Sequence, residues 1–381
     1  MKRNTILVII AALFLVFTAC KKQVIKPESI LDTPENHYRM GVRLLDKDAL
    51  EDANSEFDRC IGMDKKSEWG YLGKALYFGK KGDFKMAGKN IEKAVKLSKK
   101  ATPVQIVKAR LIVMAKGDKW LENAEKIFAE ILKKEAGNAE AHFYLAMAYR
   151  EAFEFGKAAD SFKKVIEIPN NEYIEEADRE WKLMSDIQRA MPGTKFGKQI
   201  ALRPKIDRSD FAVLLSEEFK LAEVIKKRRP KIYDNSFKTP EQLTKQGTEK
   251  GKIPPDAEKH WAKNWIVEVM QLDLRGLKIF PDGNFNPDMF MTRANFAQTV
   301  EDLIVLIDND TSVTKKYIGE NSHFPDVRSD YFAYNSIALC VDRGILAVKD
   351  LRGEFGPEDT ISGAEALLAI RALQNSLRLT F

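Results

Sequence analysis

"FPDGNFNPDMFMTRANFAQ", Phe280 to Gln298, decides how the C-terminal half of the chain is read. Asp-Gly and Asn-Pro are ordinary turn chemistry, since glycine reaches left-handed backbone angles and proline fixes one dihedral. A solitary turn would have no counterpart elsewhere. Seventy residues on, the chain reads "RGEFGPEDTISGAEALLAI", Arg352 to Ile370. Gly283 matches Gly353, Phe285 matches Phe355, Pro287 matches Pro357 and Thr292 matches Ser362. Upstream, Asp256 matches Asp326 at the same offset. Five matches at one offset identify a repeated unit. A third, partial copy lies earlier, "MPGTKFGKQIALRPKIDRSDFAVLLSEEF", Met191 to Phe219.

Each unit starts a helix near an aspartate, turns through Gly and Asn, and starts a second helix. Asp207, Thr292 and Ser362 are good N-cap residues. A full capping box is expected only at Ser362–Glu365, because the second unit has Asn295 and the first Asp210 at that place. Phe285 and Phe355 are core residues, and Pro287 and Pro357 fix the turn. The arginines need another explanation. Arg208 and Arg293 open a helix, where the dipole disfavours a cation. That predicts a partner, either the aspartate of a neighbouring unit or an anionic ligand.

With His260-Trp261-Ala262 ahead of it, the unit resembles the S-layer homology domain. The resemblance implies a three-unit pseudo-repeated helical domain whose inter-unit grooves bind acidic cell-wall polysaccharide. Carried over residue by residue, it implies contacts from Arg208, Arg293, Asp256, Trp261 and Asp326. The third unit departs from the pattern, with Gly363 in place of the arginine and Tyr331-Phe332-Ala333 in place of His-Trp-Ala. The first unit lacks a clear leading aspartate.

The N-terminal half repeats on a shorter period. "EDANSEFDRCI" (51–61), "FKMAGKNIEKAV" (84–95), "WLENAEKIFAEIL" (120–132) and "EFGKAADSFKKVI" (154–166) superpose, placing Ala53, Ala87, Ala124 and Ala158 in register. One turn on come Phe57, Ile91, Phe128 and Phe162. A small residue followed by a large apolar one lets two helices approach and fills the gap beside them. The third repeat carries a three-residue excess. This 34-residue pattern resembles the tetratricopeptide repeat, which implies a protein-binding α-solenoid with a concave groove. Tyr38, Tyr71 and His142 are its candidate groove residues, and a rigid spacer without ligand is the other reading.

Residues 1–20, MKRNTILVIIAALFLVFTAC, join a short cationic start to twelve apolar residues and a small-residue run before Cys20. That is the length of a signal-peptide core rather than of a membrane span. It resembles a bacterial lipobox, which implies that Cys20 is lipidated and that the lipid holds the chain to a membrane. Lys21 is not the inner-membrane retention aspartate of enteric bacteria, which favours the outer membrane where two exist. Cys60 and Cys340 are isolated within apolar helical patterns and read as buried hydrophobes. The net charge of +6 has a local source, the 226–252 stretch, with nine Lys/Arg against three Asp/Glu. A nucleic-acid footprint spread over a domain is therefore absent.

Nothing announces catalysis. His37, His142, His260 and His323 are scattered, "GTKFGK" (193–198) falls short of a P-loop, and Gly-x-Ser-x-Gly is missing. The expected protein is mainly α and non-catalytic, with no cofactor and no metal. Its segments are a signal peptide (1–19), a lipidated linker (20–33), tetratricopeptide-like repeats (34–172) and a degenerate first unit (173–225). A basic linker (226–251), the second unit (252–306), a linker (307–321) and the third unit (322–378) follow. Expected partners are peptidoglycan or a secondary wall polysaccharide, a membrane through the lipid, and a protein client on the solenoid, with no nucleic acid. The alternative is an adaptor that recruits a secreted or outer-membrane client, its C-terminal units purely structural.

Overall fold

A computed structural model describes residues 27–228 and 253–379. The signal segment, Cys20 and most of the basic linker lie outside the described residues. The chain divides into two compact units, Met1–Trp181 and Lys182–Phe381. Both are helical, and no helix among the described residues is long and apolar enough to cross a membrane.

The first unit is built from four helix hairpins. They pair α1 (Pro34–Asp46) with α2 (Leu50–Met63), α3 (Trp69–Lys80) with α4 (Phe84–Ser98), α5 (Thr102–Ala115) with α6 (Trp120–Lys134), and α7 (Ala139–Glu151) with α8 (Phe155–Glu167). The chain then continues into α9 (Ile174–Ala190). Side-chain caps start three of the helices: Thr33 accepts from the Asn36 amide, Asp83 from Met86 and Asn138 from Ala141. Every hairpin turn contains a left-handed residue, at Asp48, Gly82, Lys119 and Phe153, with φ of 59°, 76°, 49° and 60°, and the third turn has a second at Lys116, with φ of 46°. Only Gly82 among these is glycine.

The repeated small and large residues pack as their spacing predicts. Ala53, Ala87, Ala124 and Ala158 are buried, and Phe57, Phe128 and Phe162 are fully so, while Ile91 keeps some exposure. Phe57 is gripped by two glycines. A Cβ on Gly41 would lie 2.3 Å from its ring, and one on Gly73 of the next hairpin 2.0 Å. Buried Ala75, Ala109 and Ala146 take the place of Gly41 in the later hairpins. The third repeat's excess therefore falls between Ala109 and Ala124, in α5 and its turn.

The second unit contains α10 (Lys195–Ala201), α11 (Arg208–Glu217), α12 (Leu221–Arg228), α13 (Lys263–Met270), α14 (Arg293–Asp308), α15 (Tyr334–Asp342) and α16 (Gly363–Ser376). Its centre is a closed ring of three hydrogen bonds. Ile206 N–H donates to the Ile361 carbonyl (3.0 Å), Ile361 to Met291 (3.1 Å) and Met291 back to Ile206 (2.9 Å). All three residues are fully buried, and each directly precedes the N-cap of α11, α14 or α16. The first amide of each helix continues the cycle, Arg208 donating to the Met289 carbonyl, Arg293 to Asp359 and Gly363 to Arg203. Ser209 and Ala294 donate to the carbonyls of Pro287 and Pro357. Orphan donors at helix starts are thus satisfied by the neighbouring unit's turn.

One capping expectation is corrected. The full box stands on α11, where Asp207 and Asp210 cap each other reciprocally. On α16, Ser362 accepts from the Glu365 amide as expected, but the Glu365 carboxylate is drawn away to pair with Arg293.

Candidate functional site

In the second unit the motif residues converge on the turns between units. Arg208 is 3% exposed. Its Nε donates to the carbonyl of Phe285 (2.9 Å), Nη1 to Gly276 (2.6 Å) and Nη2 to Lys278 (2.6 Å). The guanidinium also lies over the rings of Phe285 and Phe280. Arg293 repeats the arrangement on the third unit, with Nε on the Phe355 carbonyl (2.8 Å), Nη2 on Ala347 (2.6 Å), and a pairing to Glu365. Burial pulls Arg208 down to about 10 and lowers Arg293 as well. Both remain protonated near neutrality.

The aspartates hold the opposite side of the same turns. Asp256 accepts the amides of Phe285 (3.0 Å) and Asn286 (2.6 Å), and Asp326 those of Phe355 (2.9 Å) and Gly356 (2.6 Å). Each turn is clamped by an aspartate from its own unit on the N–H side and an arginine from the preceding unit on the C=O side. Arg208 and Arg293 therefore spend three of their donors, and Asp256 and Asp326 both carboxylate oxygens, within the fold. Helix-dipole reasoning predicts a carboxylate of a neighbouring unit or an anionic ligand. Within the fold Arg208 meets three backbone carbonyls instead, and Arg293 two carbonyls and the carboxylate of Glu365.

Gly363, where an arginine was missed, has its own geometric reason. A Cβ there would lie 1.7 Å from the Ile200 carbonyl oxygen, so this junction admits no side chain. Arg371, two turns further along α16, takes over the bracing. It donates to the carbonyls of Ala190 (2.8 Å) and Met191 (2.9 Å) and to the carboxylate of Glu218 (2.6 Å). Glu218, itself buried, also accepts the amides of Gly193 and Thr194 ahead of α10. Sequence reasoning passed over both residues. An arginine on a helix otherwise apolar from Ala366 to Leu373 was the available signal.

What faces outward is aromatic. Trp261 is 48% exposed and stacks on Phe196 at 6.0 Å, with Trp265 and His260 beside it. Trp265 is fixed by its indole N–H donating to Glu217. At the same place in the third unit, Phe332 is 66% exposed against Tyr331. An open groove of about 540 Å³ runs past Arg293, with Lys349 paired to Asp359 along its edge.

The first unit carries a hollow of about 370 Å³ walled by α1, α7 and the start of α9, continued by a second of about 420 Å³ toward α5. Of the three groove candidates, Tyr38 lines the first hollow. Tyr71 instead donates its hydroxyl to the Lys65 carbonyl, and His142 bonds the Ala136 carbonyl while burial lowers its pKa. The residues that reasoning missed are Arg110, Asp46, Glu140 and Tyr144. Tyr38, Val42 and Asp46 are spaced by four on one face of α1, as Glu140 and Tyr144 are on α7, and that spacing was readable.

Among the described residues no group of three or more His, Cys, Asp or Glu could hold a metal. Cys60 and Cys340 are buried, and burial pushes the Cys60 thiol up to about 12.

Residues 323–367 match the S-layer homology domain family. A solved structure titled "Functional Characterization of Pseudomonas Aeruginosa pilF" is similar over 56% of this chain and 96% of its own. Its sequence identity is 15% and its TM-score 0.31, too distant a likeness to bear on fold or function. Comparison with curated proteins gives no match.

Proposed function

We propose that the protein is a non-catalytic, lipid-anchored envelope protein that ties a membrane to the cell wall. Cys20 carries the lipid, the second unit binds peptidoglycan or its attached acidic polysaccharide, and the solenoid holds a protein client. The observation that carries this reading is the S-layer homology match at residues 323–367, within a unit that recurs around a closed ring. On this reading the arginine and aspartate clamps shape the grooves. Trp261 supplies the stacking platform for a sugar ring, because it offers an exposed apolar face on a fixed aromatic base.

The test is co-sedimentation of the chain with purified sacculi, before and after mild acid strips attached polymers. Trp261→Ala together with Phe332→Ala removes the exposed faces and leaves the clamps intact. Loss of sedimentation in this variant is expected, while no sedimentation by the unaltered chain would sink wall binding. Anchoring is checked separately by Cys20→Ala, which should release the protein from membranes. A second reading, an adaptor whose C-terminal unit is architectural, draws support from the unpaired polar groups in the solenoid hollow.

A further inference from the structure

We propose that the solenoid hollow accepts an extended segment of a partner protein that carries two or more lysine or arginine side chains. The inference rests on the scaffold role proposed for the solenoid and specifies the partner's chemistry.

The charges in the hollow do not balance. Arg39 is paired with Glu35 and Glu172 (both 3.0 Å), and Arg43 with Glu172 (2.7 Å). Asp46, Glu140 and Glu176 share the same walls and make no hydrogen bond or ion pair among the described residues. Burial raises the pKa of all three, Arg110 opposing it at Asp46 and Glu140. Lys80 also acts on Asp46, Arg39 on Glu140, and Arg179 and Arg150 on Glu176, but none forms an ion pair with them. The first hollow is lined by the carboxylates of Glu35, Asp46, Glu140, Glu172 and Glu176 against the guanidiniums of Arg39 and Arg43, so the deficit there is of positive charge. Asp46 and Glu176 are exposed and Glu140 is half-buried, so a cation placed among them gains from their summed field and, at Glu140, also offsets the cost of burial.

The floor supplies an independent observation. Tyr38 is 5% exposed and Arg110 7%, yet the Tyr38 hydroxyl and Arg110 Nη1 have no hydrogen-bond partner. Tyr38 lines the first hollow and Arg110 the second, the Arg110 guanidinium lying over the Tyr144 ring, 3.8 Å from its centre. A guanidinium can only donate, so its free N–H requires an acceptor. A polyamine offers none. A peptide offers both, backbone carbonyls for the floor and cationic side chains for the walls. An acidic segment would suit Arg110 but repel the three carboxylates.

The experiment measures fluorescence anisotropy at low ionic strength, with the full-length chain kept in detergent. The probes are labelled decapeptides of alternating Lys-Ala and alternating Glu-Ala, with spermine as competitor. The Lys-Ala peptide is expected to bind, and Asp46→Asn/Glu140→Gln/Glu176→Gln to weaken it about tenfold, each surface-type ion pair contributing roughly a factor of two. Tyr38→Phe keeps the ring and should weaken binding a few-fold, with an unchanged circular-dichroism melt. Wild-type affinity in the triple variant, or spermine competing as well as unlabelled Lys-Ala peptide, would overturn the proposal. A Glu-Ala peptide that binds the hollow in preference to Lys-Ala would overturn the charge assignment alone and leave the scaffold standing. Binding of neither peptide would remove both.

Discussion

A guanidinium that meets carbonyls rather than a carboxylate is held by the geometry of its fork as much as by charge. Arg208 gives one donor to each of three carbonyls in the next unit. Truncating it orphans all three, so Arg208→Ala should cost about 3–5 kcal/mol in urea unfolding of the second unit. Arg208→Lys should rescue little, because one ammonium cannot span three acceptors. His37 offers a test by pH. Its ring nitrogens lie 2.5 Å from Asp32 and from Glu56. Burial lowers its pKa, but the two carboxylates outweigh burial and the net shift is upward. A raised folded pKa means that the contribution is complete below the unfolded value of about 6.5 and fades as pH climbs through the folded one. Thermal melts from pH 6 to 9 should show that decline in the first unit, and His37→Gln should flatten it.

At the scale of elements, the hairpin turns and helix faces are where sequence and structure can be weighed. The alanine and phenylalanine register was legible because a close helix crossing needs small beside large. The left-handed turn residues were not, since Lys119 and Phe153 are types that normally avoid that region. Exposed Lys119→Gly should therefore stabilise the first unit by about 0.5–1 kcal/mol, the relief of strain exceeding glycine's greater freedom when unfolded. A rise of about 1–4 °C in its melting temperature would register this. Gly73→Ala should act oppositely. Its Cβ would enter the Phe57 ring, and overpacking of that kind costs about 1–3 kcal/mol. The capping box was misplaced for a similar reason, because spacing identifies residues able to cap but not a neighbouring arginine that competes for one of them.

For the whole molecule, the offset of 70 established that two units are alike but not that a third closes on the first. Closure depends on Ile206, Met291 and Ile361, ordinary apolar residues whose contribution is a backbone amide and carbonyl that no side-chain pattern encodes. The glycan candidates were legible as a motif, yet four of the five are consumed by the junctions, and only Trp261 keeps a broad exposed face. A ring also predicts cooperativity. Ending the chain after Asp308 removes the third unit and with it the acceptors of Arg293 and two links of the central cycle. Calorimetry should then show the transition of the second unit lost, while the helical signal of the solenoid persists. The Arg371 staple has a mechanical consequence. It fastens the last helix to Ala190 and Met191, close to the start of the second unit. If the N-terminus is anchored as proposed, tension arriving along the polypeptide would meet the final unit at the same point as the first. The load would be divided across the ring at once, instead of peeling its units away in sequence.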